Sequence, residues 1–179
     1  MEKKTKWIID PAHSEIQFKV RHLVISTVTG GFDIFKGVVF TEGDDFSNAE
    51  AEFTADVNSI NTNQKDRDNH LRSADFFDAA NHSTISFRST AFTKTGESTY
   101  LMTGDLTIRE TTLPVDIQVY FGGIATDSYG KTKAGFELSG KINRKDFGLL
   151  WSATTETGGV VVADEIKLQM NIELAKQPS

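Results

Sequence analysis

Residues 61–80, NTNQKDRDNHLRSADFFDAA, break the alternation of apolar and polar residues that runs through the rest of the chain. Here Leu71, Ala74 and Phe77 lie three apart, near helical spacing, with charged residues between them. Ser73 stands two residues before Asp75 and three before Phe76, where an N-cap for a second short turn belongs. The stretch predicts one or two short helices set into an otherwise all-β chain. A helix this short is marginal in water. It must dock, and Leu71, Phe76 and Phe77 are the residues that would do so. Two forms are open: a lid over a cavity, or a plug that buries a sheet edge. The residues alone favour the plug.

Working outward, the flanks read as strands. Upstream, Ile16, Phe18 and Val20 alternate with Gln17, Lys19 and Arg21, and His22 is in phase with the apolar set. Residues 27–31 read as a bend, with Gly30-Gly31 supplying either positive φ or a close backbone approach. Residues 32–40 read as one strand kinked near Gly37. Ala49, Ala51, Phe53, Ala55 and Val57 then alternate with polar residues, and three alanines on one face either leave space inside or face larger side chains that fill it.

Downstream, inner faces follow at Ile85 and Phe87, at Val115, Ile117, Val119 and Phe121, at Ala134, Phe136, Leu138, Gly140 and Ile142, and at Ile166, Leu168, Met170, Ile172 and Leu174. Arg144-Lys145-Asp146 reads as a network that locks a turn, and Gly158-Gly159 as a turn. The result is about eight strands, each with one apolar face, which is the antiparallel pattern. With no repeat and no linker, residues 1–179 form a single domain. A closed up-and-down barrel and a two-sheet sandwich both satisfy the pattern; long strands and a lone helix favour the barrel. An eight-stranded barrel has room for side chains or one slender ligand.

Composition narrows the function. Nineteen basic against 25 acidic residues give a net charge of −6, which argues against a nucleic-acid partner. There is no Cys, hence no disulfide framework and no thiolate chemistry. No run of 18 apolar residues occurs, so no transmembrane segment is expected. MEKKTKW carries charge but no apolar core of a signal peptide, which points to the cytoplasm, or to the periplasm or export if a signal has been removed. Thirteen Phe against two Trp and three Tyr suit an apolar interior.

Chemistry-bearing patterns are sparse. His13, His22, His70 and His82 show neither HxxxH nor HxH spacing, and there is no GxSxG, P-loop or GxGxxG. His13-Ser14 are adjacent on an extended chain and point to opposite faces. No metal and no cofactor are expected. Arg67, inside Asp66-Arg67-Asp68, is the residue able to hold a loop or a polar headgroup by several donors.

An ordered set of segments runs from Trp7 to about Leu174: WIIDPAHS at 7–14, Arg21-His22-Leu23, Gly31-Phe32, Phe35-Lys36-Gly37, Arg67-Asp68-Asn69-His70-Leu71, and Asp75-Phe76-Phe77-Asp78. It continues with Ile85-Ser86-Phe87-Arg88-Ser89, GDLTIR at 104–109, Thr112-Leu113-Pro114-Val115 and NRKDFG at 143–148. This set resembles the YceI-like family of lipocalin-like polyisoprenoid-binding proteins. Two departures lie at turns: Asn81-His82 where the family has an aromatic-Pro pair, and Glu110 where it has Gly.

The resemblance implies an eight-stranded antiparallel lipocalin-like barrel with a short helical insertion. It also implies a long apolar cargo (a polyisoprenoid, an isoprenoid quinone or a fatty-acid-like lipid) and, in some members, a homodimer. On this reading the tail lies between Phe18, Val20, Phe53, Phe87, Ile117, Phe136, Leu138, Leu168 and Met170. The headgroup meets His22, Arg67 or His70 at the mouth. The inward faces rest on phase, and a one-residue bulge would flip them. Two other readings stay open. One is an isomerase or hydrolase using His22 or His70 as a base, for which the sequence offers no oriented partner. The other is a module with a filled core and no ligand.

Overall fold

The computed structural model describes residues 4–23, 25–152 and 162–178. Eleven strands form one antiparallel sheet: β1 (Thr5–Ile9), β2 (Glu15–His22), β3 (Ser26–Phe32), β4 (Phe35–Glu42), β5 (Asp45–Asp56), β6 (Ile60–Asn61), β7 (Thr84–Lys94), β8 (Thr99–Ile108), β9 (Thr111–Thr126), β10 (Thr132–Asn143) and β11 (Val162–Lys176). One helix, α1 (Lys65–Arg72), follows β6. It is not long and apolar enough to cross a membrane.

The eleven strands fill eight positions around a closed barrel. β1 and β2 lie end to end along β11; β4 pairs with β1 and β3 with β2; β5 pairs with β4 and β6 with β3. β1 on β11, with Ile9 opposite Leu174, closes the ring. The breaks have local causes. In the first, Pro11 ends the ladder and Asp10 Oδ1 accepts from Ala12 N at 3.1 Å. In the third, Asp56 Oδ1 accepts from Asn58 N at 2.9 Å and turns the chain over Val57–Ser59.

Two expectations are corrected here. Residues 27–31 are part of strand β3 rather than a bend, and the stretch 32–40 is divided at Asp33 and Ile34 rather than kinked at Gly37. Gly30 and Gly31 keep ordinary φ values. They permit close approach: the Phe18 ring lies over Gly30, and the Ile16 carbonyl lies where a Gly31 side chain would be. The turn expected at Gly158-Gly159 falls outside the described residues.

The barrel has two unlike ends. At one, the turns around Gly43, Gly96 and Tyr129 surround a floor built from Trp7 and Phe46, which are 0 % and 2 % exposed. Trp7 Nε1 donates to Thr41 Oγ1 at 2.8 Å, which satisfies the buried indole N–H. At the other end stand the β2–β3 turn, residues 57–83, the β8–β9 turn and residues 144–152. In the β8–β9 turn Arg109, not Glu110, takes the left-handed φ of 55°, so the turn closes without a glycine at 110. The two departures from the family pattern face each other, with His82 Nε2 3.5 Å from Glu110 Oε1.

The inserted segment is a single eight-residue helix followed by turns. Ser73 does not start a second helix: its hydroxyl donates to His70 O at 2.6 Å and accepts from Asp75 N at 3.3 Å. The segment is both plug and lid. Arg72 donates to the carbonyls of Asn58 and Ile60 at 3.1 Å, and Arg67 to that of Thr62 at 2.6 Å, which satisfies the β6 edge. Leu71, Phe76 and Phe77 meanwhile face the barrel interior.

Candidate functional site

An internal cavity of about 410 Å³ runs from the floor to the helical end, with an almost wholly apolar lining. Its size falls within the roughly 300–1,000 Å³ of ordinary ligand pockets. The floor is Phe46, whose ring lies 5.1 Å from Trp7, 5.4 Å from Phe121 and 4.9 Å from Phe136. The walls carry Phe18, Val20, Phe53, Phe87, Ile117, Phe136, Leu138, Leu168 and Met170, all on the inner faces that strand phase indicates. His22, Arg67 and His70 line the same cavity at the helical end. Ala51 and Ala55 also line it, so part of the space left by small residues on β5 stays open; Ala49 is packed into the floor cluster.

The polar rim is held mainly by bonds within the chain. Arg67 Nε donates to Thr62 Oγ1 at 2.7 Å, and the buried Asp68 accepts from Thr62 N at 2.9 Å. Arg67 therefore holds the loop before α1. His70 has the oriented partner that the sequence did not reveal: its Nε2 lies 2.8 Å from Asp75 Oδ2. Its ring meets Phe76 and Trp151 edge-on, at 5.1 and 4.7 Å.

Arg144 is 2 % exposed. It donates to the carbonyls of Leu149 and Trp151 at 2.7 Å, of Ala163 at 2.9 Å and of Val162 at 3.3 Å. This is the turn-locking role expected of it. Burial lowers its pKa, partly countered by Asp164.

Sequence reasoning missed Phe46, Leu149 and Trp151 as lining residues. Phe46 is out of phase with Ala49 because Asn48, at φ 62°, inserts a residue between them, so alternation read from Ala49 could not reach it. Leu149 and Trp151 sit in a segment with no strand pattern, held in place by Arg144.

On the outer wall, Asp10, His13 and Glu173 come close enough to share a metal ion. Lys133 Nζ already sits 2.8 Å from Asp10 Oδ2 and 3.7 Å from Glu173 Oε2, which supplies the positive charge there. Hydrogen bonds from Lys133 and then His13 hold the Asp10 carboxyl well below the usual range, and Asp10 in turn raises both His13 and Lys133.

Eight antiparallel strand positions, a closed floor, an apolar cavity and a helix across the other end define a lipocalin-like barrel. The chain belongs to the YceI-like domain family, which matches residues 7–174. UPF0312 protein SA2479 of Staphylococcus aureus strain N315 is 34% identical over 172 residues, covering 96% of this chain and 98% of that protein. The solved YCEI protein of Campylobacter jejuni is 32% identical, covers 89% of this chain and 90% of its own, and superposes with a TM-score of 0.72. A polyisoprenoid-binding domain from Saccharophagus degradans, implicated in plant cell wall breakdown, shares the fold at 16% identity and a TM-score of 0.72, covering 96% and 98% of the two chains.

Proposed function

We propose that this protein binds and carries a long-chain apolar ligand (a polyisoprenoid, an isoprenoid quinone or a fatty-acid-like lipid) in the barrel cavity, and that it is a carrier rather than an enzyme. The observation that carries this reading is the cavity itself: about 410 Å³, almost wholly apolar, closed by Phe46 and covered by α1. Burial contributes roughly 0.8 kcal/mol per CH₂, so an extended tail binds with few polar contacts, partly offset by the cost of ordering it. The S. degradans domain has the same fold, which agrees with the ligand class. His22, Arg67 and His70 are the polar side chains placed to meet a headgroup.

Native mass spectrometry of the purified protein, with organic extraction, tests this. A discrete adduct that extracts as a polyprenyl or long acyl compound is expected, and the same spectrum reads whether the protein is a homodimer. A ligand-free mass with no uptake of added isoprenoid quinone overturns the reading.

The His70–Asp75 pair favours a second reading, a His-based isomerase or hydrolase, because a carboxylate orients the ring. Its mark is a pH-dependent turnover lost in His70→Ala and His22→Ala.

A further inference from the structure

Among the described residues, two large aliphatic side chains stand exposed on the helical end of the barrel: Ile25 at 83% and Leu150 at 63%. Neither is incidental to its backbone. Ile25 tips the β2–β3 hairpin, whose pairing runs from Gln17 with Gly31 to His22 with Ser26. Leu150 lies between Leu149 and Trp151, whose carbonyls are both held by Arg144 Nη1 at 2.7 Å. Leu149 is thereby buried and Leu150 faces out. The two sites rim one mouth: Val162 pairs with His22, and its carbonyl accepts from Arg144.

Charge on the hairpin is one-sided. Between Glu15 and Asp33 the sequence has Lys19 and Arg21 and no carboxylate, in a chain of net charge −6. The α1 side of the mouth carries both signs, with Lys65, Arg67 and Arg72 beside Asp66, Asp68, Asp75 and Asp78. The turn at the closed end between β4 and β5 is acidic, with Glu42, Asp44 and Asp45.

We propose that Ile25 and Leu150, with the cationic β2–β3 hairpin behind them, dock on the surface of a lipid bilayer that bears anionic headgroups. The cavity mouth is then presented to the bilayer along its hairpin side. That cargo passes at this contact rests on the carrier reading above. Two separate aliphatic tips offer little of the roughly 800 Å² per partner that a protein interface buries. Insertion into the headgroup region needs only that each tip be buried singly, with basic residues drawn to anionic lipid.

The test is flotation with phosphatidylcholine vesicles made with and without phosphatidylglycerol. The protein is expected to float with the phosphatidylglycerol vesicles, less so at high salt. Ile25→Asp combined with Leu150→Asp is expected to lower the bound fraction about tenfold or more, while Tyr129→Asp at the closed end leaves it unchanged. The double variant's circular dichroism and cargo mass should match those of the parent, since neither residue lines the cavity. Absence of flotation, or equal flotation by the double variant, overturns the proposal. Absence of flotation with self-association that depends on Ile25 assigns the surface to a second copy and also overturns it. Flotation by a protein that carries no lipid supports the docking surface and removes only the passage of cargo.

Discussion

His70 Nε2 lies 2.8 Å from Asp75 Oδ2, across the turn that ends α1. The bond fixes a ring that meets Phe76 on its own segment and Trp151 in the segment held by Arg144. It therefore ties the lid to the rim. Both side chains are substantially exposed, at 38% and 54%, so the pair is screened and contributes modestly. Asp75→Asn is expected to leave folding intact and to speed cargo release about two- to threefold. Stopped-flow transfer of a fluorescent polyisoprenoid to acceptor vesicles measures it. Unchanged release would make the pair ornamental to the lid.

Arg144 makes a sharper case, because its guanidinium is buried and bonded to four carbonyls. Arg144→Met removes the guanidinium donors from those carbonyls and is expected to cost about 3–5 kcal/mol. Arg144→Lys is expected to recover little, since an ammonium cannot reach carbonyls spread across one planar fork. Chemical denaturation of the three proteins reads this directly. Full rescue by lysine would show that charge, not geometry, matters here.

These cases show what the sequence could disclose. Alternation placed the inner faces, because residues such as Phe18, Leu138 and Met170 sit on regular ladders where phase is preserved. Phase failed wherever an extra residue entered, as with Asn48 before Ala49, and that hid Phe46. The His70–Asp75 bond was also hidden: a separation of five residues is neither a strand nor a helix pairing, and it forms only because the chain turns sharply after Arg72. The dual role of residues 61–80 could not be read either, since edge-capping by Arg67 and Arg72 and cavity-facing by Leu71 and Phe77 use different sides of one segment.

The wall cluster at the β1–β2 break predicts a pH signature. Asp10 is lowered from its ordinary 3.8, so its stabilising effect is present above that value and lost as pH falls through the lower folded pKa. His13 is raised from 6.5, so its share is complete below 6.5 and lost as pH rises through the higher folded value. The Lys133 share persists at higher pH, since Asp10 raises that group too. The Tm difference between the parent and Asp10→Asn should therefore be greatest between these two ordinary values. It should fall to a lower plateau on the alkaline side and vanish in acid. A difference that stays constant from about pH 5 to about pH 9 would remove His13 from the latch.

Phe46 sets the depth of the cavity, and Ala51 sets its width on the β5 wall. Phe46→Ala removes a ring packed against Trp7, Phe121 and Phe136, at an expected cost of about 3–5 kcal/mol. It also lengthens the space available to a tail. Ala51→Phe adds a ring to the lumen beside the floor cluster that Ala51 packs against, and leaves Phe46 in place. With a mixture of prenyl chains of graded length offered in competition, the first variant should retain longer chains than the parent, and the second should retain shorter chains or none. Native mass spectrometry reads both preferences in one experiment. If both variants fold and select the parent's chain length, the tail does not reach the Phe46 floor or pass Ala51, and the cavity is not its binding site.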